Sequence, residues 1–444
     1  MSFKLTKEDV LKNARDSGVE IIRLQFTDIF GIMKNVSITV EELERAMDEG
    51  VVFDGSSLGG AVRMEEIDML LKPDPSTFCI YPWRTSSGLD ARMICDIYTK
   101  DDVPFEGDPR HMLRKALKEA SDMGYTFKVA PECEFFMFHT DEKGAPTTIT
   151  HDNASYYDLA PVDLGEAARR DMVMALKQMG LEIEASHHEI APGQHEIDMK
   201  SDDALYAADG MMTFRAIVRI IAQRHGLHAT FMPKPVLNIA GSGLHINQML
   251  FKEGRNAFYD PNDKMGLSQD AYLYIGGLLS HGRALTAITN PTVNSYKRLV
   301  SGYDAPLFIA WSAKNPGSLV KVPFKRGDST MIELRNPDSS CNPYLALGAI
   351  LKCGINGIKN NITAPDSIDS DIGSMDDSYR IENNVASLPD SLEKAINCLK
   401  EDNVIKKLLG EYIYSSFVEA KMIEWQEYIK QITSWEIEQY LTKF

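Results

Sequence analysis

Residues Phe127 to Phe138 read FKVAPECEFFMF, a run of aromatic and aliphatic residues with two acids set into it. Such a run predicts a β-strand. Side chains alternate faces along a strand, so Glu132 and Glu134 point the same way, about 7 Å apart. Two carboxylates that close together on an apolar strand repel each other and resist burial. Two readings stay open from this stretch alone. It is either a solvated edge strand with surface acids, or a strand whose acids are compensated by a hard divalent cation.

Outward from this strand, ligand-type residues recur. Residues 182–196 read EIEASHHEIAPGQHE, with Glu189 and Glu196 flanking a Pro-Gly turn that brings them together as a hairpin. In the segment AGSGLHINQM, His245, Asn247 and Met249 share one strand face, and the glycines before them permit close backbone approach to a ligand. The spacing matches neither a P-loop nor a dinucleotide fingerprint. Between Thr330 and Arg335 the chain alternates again, with Met331, Glu333 and Arg335 on one face. A Glu beside an Arg reads first as a structural ion pair. Glu132, Glu134, Glu189, Glu196, Glu333 and His245 can converge on one sheet face. Five carboxylates and an imidazole suit two hard divalent ions, Mg²⁺ or Mn²⁺.

The surroundings are those of a globular α+β protein. The chain has 444 residues, enough for two or three domains, with ordinary charged and apolar content. A net charge of −17 argues against nucleic-acid or anionic-membrane partners. No apolar run reaches a membrane span, and the first residues lack a signal-peptide pattern. Six scattered cysteines fit a reducing cytoplasm rather than a disulfide framework or a zinc finger. Thr6 to Asp9 has capping-box spacing and opens a helix, Ile21 to Asp28 alternates as a half-buried strand, and Thr39 to Glu42 starts a second helix. Asp54 lies in FDGSS, which reads as ordinary turn chemistry. A boundary falls at residues 105–110, so 1–105 is a small first domain and 106–444 a larger one. Asp108 and Pro109 open the next helix, Asp163 another closed by Gly180, and Asn342-Pro343 one running to about residue 360. Residues 294–298 and 302–306 read as loops, 365–385 as a polar surface loop, and 387–444 as helical.

Together IRLQFTDIFG, FDGSS, PECEFF, EASHHEIAPGQHEID, RHGLHATFMPKP, GSGLH, NPTVNSYKRL, GYDAP and NPYLAL resemble glutamine synthetases of the bacterial type I class, nearly end to end. The resemblance implies an N-terminal β-grasp domain, a catalytic α+β domain, and a homo-oligomer of two stacked hexameric rings with sites shared between neighbours. It implies Glu134, Glu189 and Glu196 on one metal, and Glu132, His245 and Glu333 on a second. Arg298 and Arg335 would hold the carboxylates of glutamate, with Gly241 in the glutamate loop. Asp54 would bind ammonium from the neighbouring subunit, and Asp304 would sit in the flap that closes the site. Glu184 and Asn247 fall on the nucleotide side. The implied chemistry phosphorylates the glutamate γ-carboxylate with ATP, then displaces phosphate with ammonia; metals and arginines neutralise the transferring group.

The departures cluster on the phosphate side. The family pattern has arginines at the positions of Pro316, Lys321 and Met331. Lys321 keeps a charge without a planar fork. Losing one such donor typically costs about 3 kcal/mol in the transition state. Ala240 stands where Asn is expected, Cys133 where Pro is common, Met249 where Ser is common, and Asp304 where the flap has Glu. The segment 382–389 lacks the tyrosine that some members carry for adenylylation, and Arg63 matches an arginine used in feedback inhibition. Three functions therefore stand: an ATP-dependent ligase joining glutamate or a relative to ammonia or an amine, an ATP-independent metal-dependent amide or C–N hydrolase, and a non-catalytic glutamine-sensing homologue.

Overall fold

The computed structural model describes residues 5–58, 67–85, 88–302, 305–315, 317–370, 380 and 385–444. Asp304, Pro316 and Arg63, most of the segment 365–385 and residues 382–384 of the segment 382–389 named above lie outside them.

The chain starts as its capping signals predict. Helix α1 (Lys7–Ser17) is closed at its N-terminus by Thr6 and Asp9, which cap each other's backbone, and at its C-terminus by left-handed Gly18. The first sheet uses β1 (Val19–Thr27), β2 (Met33–Thr39), β3 (Val51–Asp54), β4 (Asp68–Pro73), β5 (Cys79–Thr85) and β6 (Gly88–Thr99). Its order is β2-β1-β6-β4-β3, with β5 paired to β6. The β1–β6 pair is parallel. Ile22, Leu24 and Phe26 are buried on one face, as their alternation requires. The helix expected from Thr39 opens as a 3₁₀ turn, Val40–Glu42, before α2 (Leu43–Glu49). The FDGSS turn differs from expectation in part: Val51–Asp54 is an edge strand, and only the residues after it turn.

A buried arginine fastens the two halves together. Asp108 caps α3 (Pro109–Asp122), and Arg110, 3% exposed, reaches Asp74 and Asp96 of the first half at 2.9 and 2.6 Å and Asp209 of the second at 2.8 Å. The second sheet is built around β7 (Tyr125–Thr140), the long strand that contains the opening stretch. β8 (Pro146–Thr150), β9 (Ile183–His188), β10 (Gln194–Met199), β11 (Asp202–Asp203), β12 (Leu227–Thr230), β13 (Leu244–Lys252), β14 (Arg255–Asn256), β15 (Phe308–Ser312), β16 (Ser318–Lys321) and β17 (Ile332–Leu334) complete it. The path β15-β16-β17-β13-β7-β10-β9 crosses the whole domain.

Alternation along β7 separates two environments. Cys133, Phe135 and Met137 enter the main core with α5 (Ala204–Arg224), α6 (Gln269–Thr289) and α8 (Pro343–Asn360). Glu132 and Glu134 face the other way, and Phe136 and Phe138 continue that face as a small apolar patch with Ala191. Asn342 caps α8, as predicted, by accepting from Tyr344 and Leu345. Two expectations need correction. Helix α4 (Glu166–Gln178) begins after Gly165, not at Asp163, whose carboxylate is taken by Arg169 at 2.8 Å. Residues 294–298 are not loop throughout, because Ser295–Arg298 forms one helical turn.

Candidate active site

Strand register lays the predicted residues in a row across the second sheet. Lys321 is opposite Glu333, Glu333 is opposite Asn247, and His245 is opposite Glu132. Beyond β7, Glu134 is opposite Glu196 and Glu132 opposite Asp198; Glu196 is in turn opposite His187. A period of two on six adjacent strands therefore collects charge on one face.

The second of the two ligand sets is gathered. Ligand atoms of Glu132, His245 and Glu333 lie within 4.8 Å of one another. His245 Nδ1 is 3.2 Å from Glu132 Oε2, and Asn247 donates to Glu132 Oε1 at 2.7 Å. Burial raises the Glu132 pKa, but His245 and Asn247 outweigh it and hold the carboxyl at about 2. Glu333 is almost fully buried and bears two cations, Arg335 on Oε1 and Lys321 at 3.2 Å on Oε2. The Glu–Arg neighbours are thus an ion pair as well as parts of the row.

The first set is held differently. Glu134 Oε2 accepts from Gln194 at 3.0 Å and from the Gly243 amide at 2.8 Å, while its Oε1 faces His245 Nε2 at 3.9 Å. Glu196 groups with His187 and Asp198 rather than with Glu134 and Glu189. Burial first, and then the Glu134 charge, pushes the Glu189 and Glu196 carboxyls above their ordinary range. Asp198 is raised to about 7 by burial, with the Glu132 and Glu184 charges adding to it.

Both predicted arginines are buried beside these acids. Arg298 donates to the carbonyls of Asn336 and Pro337 at 2.8 and 3.2 Å. Arg335 keeps its Nε buried without an acceptor among the described residues. Gly243 is the point of closest approach: a Cβ there would lie 2.6 Å from Arg298 Nη2 and 3.1 Å from both Glu134 Oε1 and His245 Nε2. Gly241 accepts from Gln194 at 3.1 Å through its carbonyl. Glu184 is exposed on β9 and sits 3.5 Å from Lys325. Asp54 is on the other sheet, on edge strand β3, with its carboxylate accepting from Ser56 at 2.9 Å. Of the other cations near the missing arginines, Arg326 is spent on the carbonyls of Met265, Pro323 and Lys325. Lys314 lies 3.8 Å from Asp369.

The donor set fits divalent cations. His245 Nε2 is buried without a hydrogen-bond partner among the described residues, the neighbours are hard carboxylate oxygens, and the acids outnumber the cations that face them. Glu132, His245 and Glu333 would hold one ion; the resemblance assigns Glu134, Glu189 and Glu196 to the other, whereas the structure groups Glu196 with His187 and Asp198. Gln194, Asp198 and His187 were not singled out from sequence. Gln194 and Asp198 lie two residues either side of Glu196, so the same period of two that marks Glu132 and Glu134 marks them.

Residues 18–100 match the glutamine synthetase β-grasp domain, and residues 106–440 match the glutamine synthetase catalytic domain. The chain belongs to the glutamine synthetase family. A glutamine synthetase of Clostridium saccharobutylicum is 54% identical over 441 residues, covering 99% of this chain and 100% of the relative. One of Staphylococcus aureus strain Mu50 is 51% identical over 440 residues, 99% of each chain. Among solved structures, GmaS/ADP complex-Conformation 1 superposes with a TM-score of 0.89 at 31% identity, covering 98% of this chain and 99% of the other. Apo GmaS without ligand gives a TM-score of 0.86 at 30% identity, with the same coverage. Among the described residues no helix is long and apolar enough to cross a membrane.

Proposed function

We propose that the chain is an ATP-dependent glutamate–ammonia ligase that forms glutamine through an acyl phosphate. The observation that carries this reading is the row of acids, His245 and buried arginines on one sheet face, in a chain whose relatives bear the glutamine synthetase name. Divalent cations bound there supply charge neutralisation for the phosphoryl group. The chain's own residues do the rest. Arg298, fixed by backbone carbonyls, and the open Nε of Arg335 bind the carboxylates of the amino acid. Gly243 and Gly241 let the backbone close on it. Lys321 places an ammonium at the edge of the row, and Lys325 beside Glu184 places a second on the nucleotide side. Asp54 accepts a proton from ammonium, and Asp304 closes the site against water.

Asp54 belongs to a different sheet from the row, which supports a site completed by a neighbouring subunit in stacked hexameric rings. The division into domains 1–105 and 106–444 and a cytoplasmic location, supported by six free cysteines, go with this reading. Neither the hydrolase nor the sensor gains an observation, since cations remain at the row's nucleotide edge. The test is a product assay with glutamate, ammonium, ATP and Mg²⁺ or Mn²⁺. Glutamine and ADP are expected in equal amounts. Metal-dependent release of ammonia from amides without ATP would replace this reading with the hydrolase.

A further inference from the structure

A second cavity, distinct from the acid row, opens between the two halves of the chain. It has a volume of about 730 Å³ and is walled by residues 31–35 after β1, by α5, and by the segments 230–233, 292–294 and 339–340. Arg215 and Arg219 line it from α5, one helical turn apart, and Lys34 lines it from β2. No acid lines it, although the chain carries a net charge of −17.

Neither arginine has a carboxylate partner among the described residues. Arg215 donates to the Cys341 carbonyl at 2.7 Å, and Arg219 lies over the Phe231 ring at 5.2 Å. Lys34 is shared with Asp28 at 3.6 Å. Residues four apart on a helix are neighbours, so the two guanidiniums repel each other, and desolvation and Arg215 together lower the Arg219 pKa. The remaining wall is rich in hydrogen-bonding groups, including Asn35, Thr230, Asn294 and Ser340.

We propose that this cleft binds a small dianion, whether a phosphate or a dicarboxylate, at a site separate from the active site. Two planar donors one turn apart offer a pair of forks to two oxyanion groups or to one phosphate. The proposal does not depend on the ligase reading. The cleft also abuts active-site supports. Ser339 shares its hydroxyl proton between the Glu134 and Gly243 carbonyls at 2.9 Å each, and Asn294 clamps the backbone of Lys234 at 2.7 and 3.0 Å.

The test is calorimetric titration of the full-length, metal-free protein with inorganic phosphate and with succinate, against chloride at equal ionic strength. Saturable binding of at least one dianion is expected, weakened about tenfold or more by Arg219→Met. Arg219→Lys, which keeps charge and stem, is expected to lose less and remains informative should the methionine variant not fold. Saturable binding of phosphate alone assigns the site to phosphoryl groups, and of succinate alone to dicarboxylates; either supports the proposal. No saturable binding of either overturns it. So does binding that Arg219→Met and Arg219→Lys leave unchanged but Arg298→Ala abolishes, since the anion is then in the substrate site. A change in particle mass for Arg219→Met without any anion effect also overturns it, by assigning the cleft to contact between copies.

Discussion

The hairpin of β9 and β10 carries two clusters of the same residue types, one on each side. His187, Glu196 and Asp198 face the acid row, while His188 and His195 project to the opposite side, towards Asp152 and Asp163. Both clusters offer histidines and carboxylates within ligand distance. Their charge balance is opposite. On the buried side, Arg169 lies 2.8 Å from Asp163 and donates to His195 Nδ1 at 2.9 Å. His188 faces acceptors on both ring nitrogens, the Glu189 carbonyl at 2.7 Å and Asp152 at 3.3 Å, an arrangement that favours its charged form. Burial opposes that charge, but Asp152 and the carbonyl raise its pKa above the ordinary value. Each anion of this cluster thus has a partner, Arg169 for Asp163, and His188 and His151 for Asp152. On the open side, among the described residues, Glu132, Glu134, Glu189, Glu196, Asp198 and Glu333 outnumber the Arg298, Arg335 and Lys321 cations and the His187 and His245 rings that face them. The presence of ligands does not distinguish the clusters; the uncompensated charge does.

Removing Glu333 should break the open cluster most completely. Glu333→Ala deletes one of the proposed metal ligands and strands Lys321 and Arg335. Synthetase activity is expected to fall by roughly a thousandfold, the scale of losing a main electrostatic element. Calorimetry with Mn²⁺ should lose one of two sites per chain; two undiminished sites would show that the ion is held elsewhere. The buried cluster should break through stability instead. Asp152→Ala removes the carboxylate partner of His188 and His151 and frees the Gly193 amide, which Asp152 holds at 2.9 Å. A loss of about 3–5 kcal/mol in unfolding free energy is expected. Addition of Mn²⁺ should not selectively restore it, and selective restoration would mean that the cluster is itself a metal site.

Much of the open cluster was legible because a period of two survives folding. Glu132 and Glu134, Glu189 and Glu196 about the Pro-Gly turn, and Glu333 with Arg335 all come from local alternation, and the sheet registers add only which strands are neighbours. The buried cluster was not legible. Asp152 follows β8 without periodicity, and its partners are His188 of β9, the Gly193 amide just before β10 and the adjacent His151. Asp163 misleads by two residues: one of its oxygens accepts from the Gly165 amide at 2.9 Å and the other pairs with Arg169, but the helix starts only after Gly165. Asn294 spends its side chain on Lys234, so the short helical turn after it lacks a side-chain cap and gives no signal. In Asp54 local turn chemistry is visible in both sequence and fold.

The charge excess also predicts how pH acts. Asp198 binds its proton more tightly in the folded chain, at about 7, than an ordinary carboxyl does, and Glu189 and Glu196 shift the same way. That contribution to stability is complete below the ordinary carboxylate pKa and fades as pH rises through about 7. The metal-free protein should therefore melt at lower temperature at pH 8 than at pH 5.5. Mg²⁺ or Mn²⁺ should raise the melting temperature more at pH 8, where protons no longer compete. An equal metal effect at both values would place the ion away from these acids.

The smallest effect concerns Lys321, where charge and geometry can be separated. Its ammonium already reaches Glu333 at 3.2 Å, so the position supplies a cation at the edge of the row. A guanidinium there would keep that pair and add a second planar donor for a phosphate oxygen. Lys321→Arg is expected to lower the KM for ATP by about three- to tenfold, the range of one added charge-assisted hydrogen bond, with little change in the KM for glutamate. Because Met331, half-buried one residue before β17, offers no charge, Met331→Arg should act additively only if its guanidinium clears Arg335 on the same strand face. If Lys321→Arg leaves the KM for ATP unchanged, the nucleotide phosphates are met by Lys325 and its neighbours on the Glu184 side, and the row ends at Glu333.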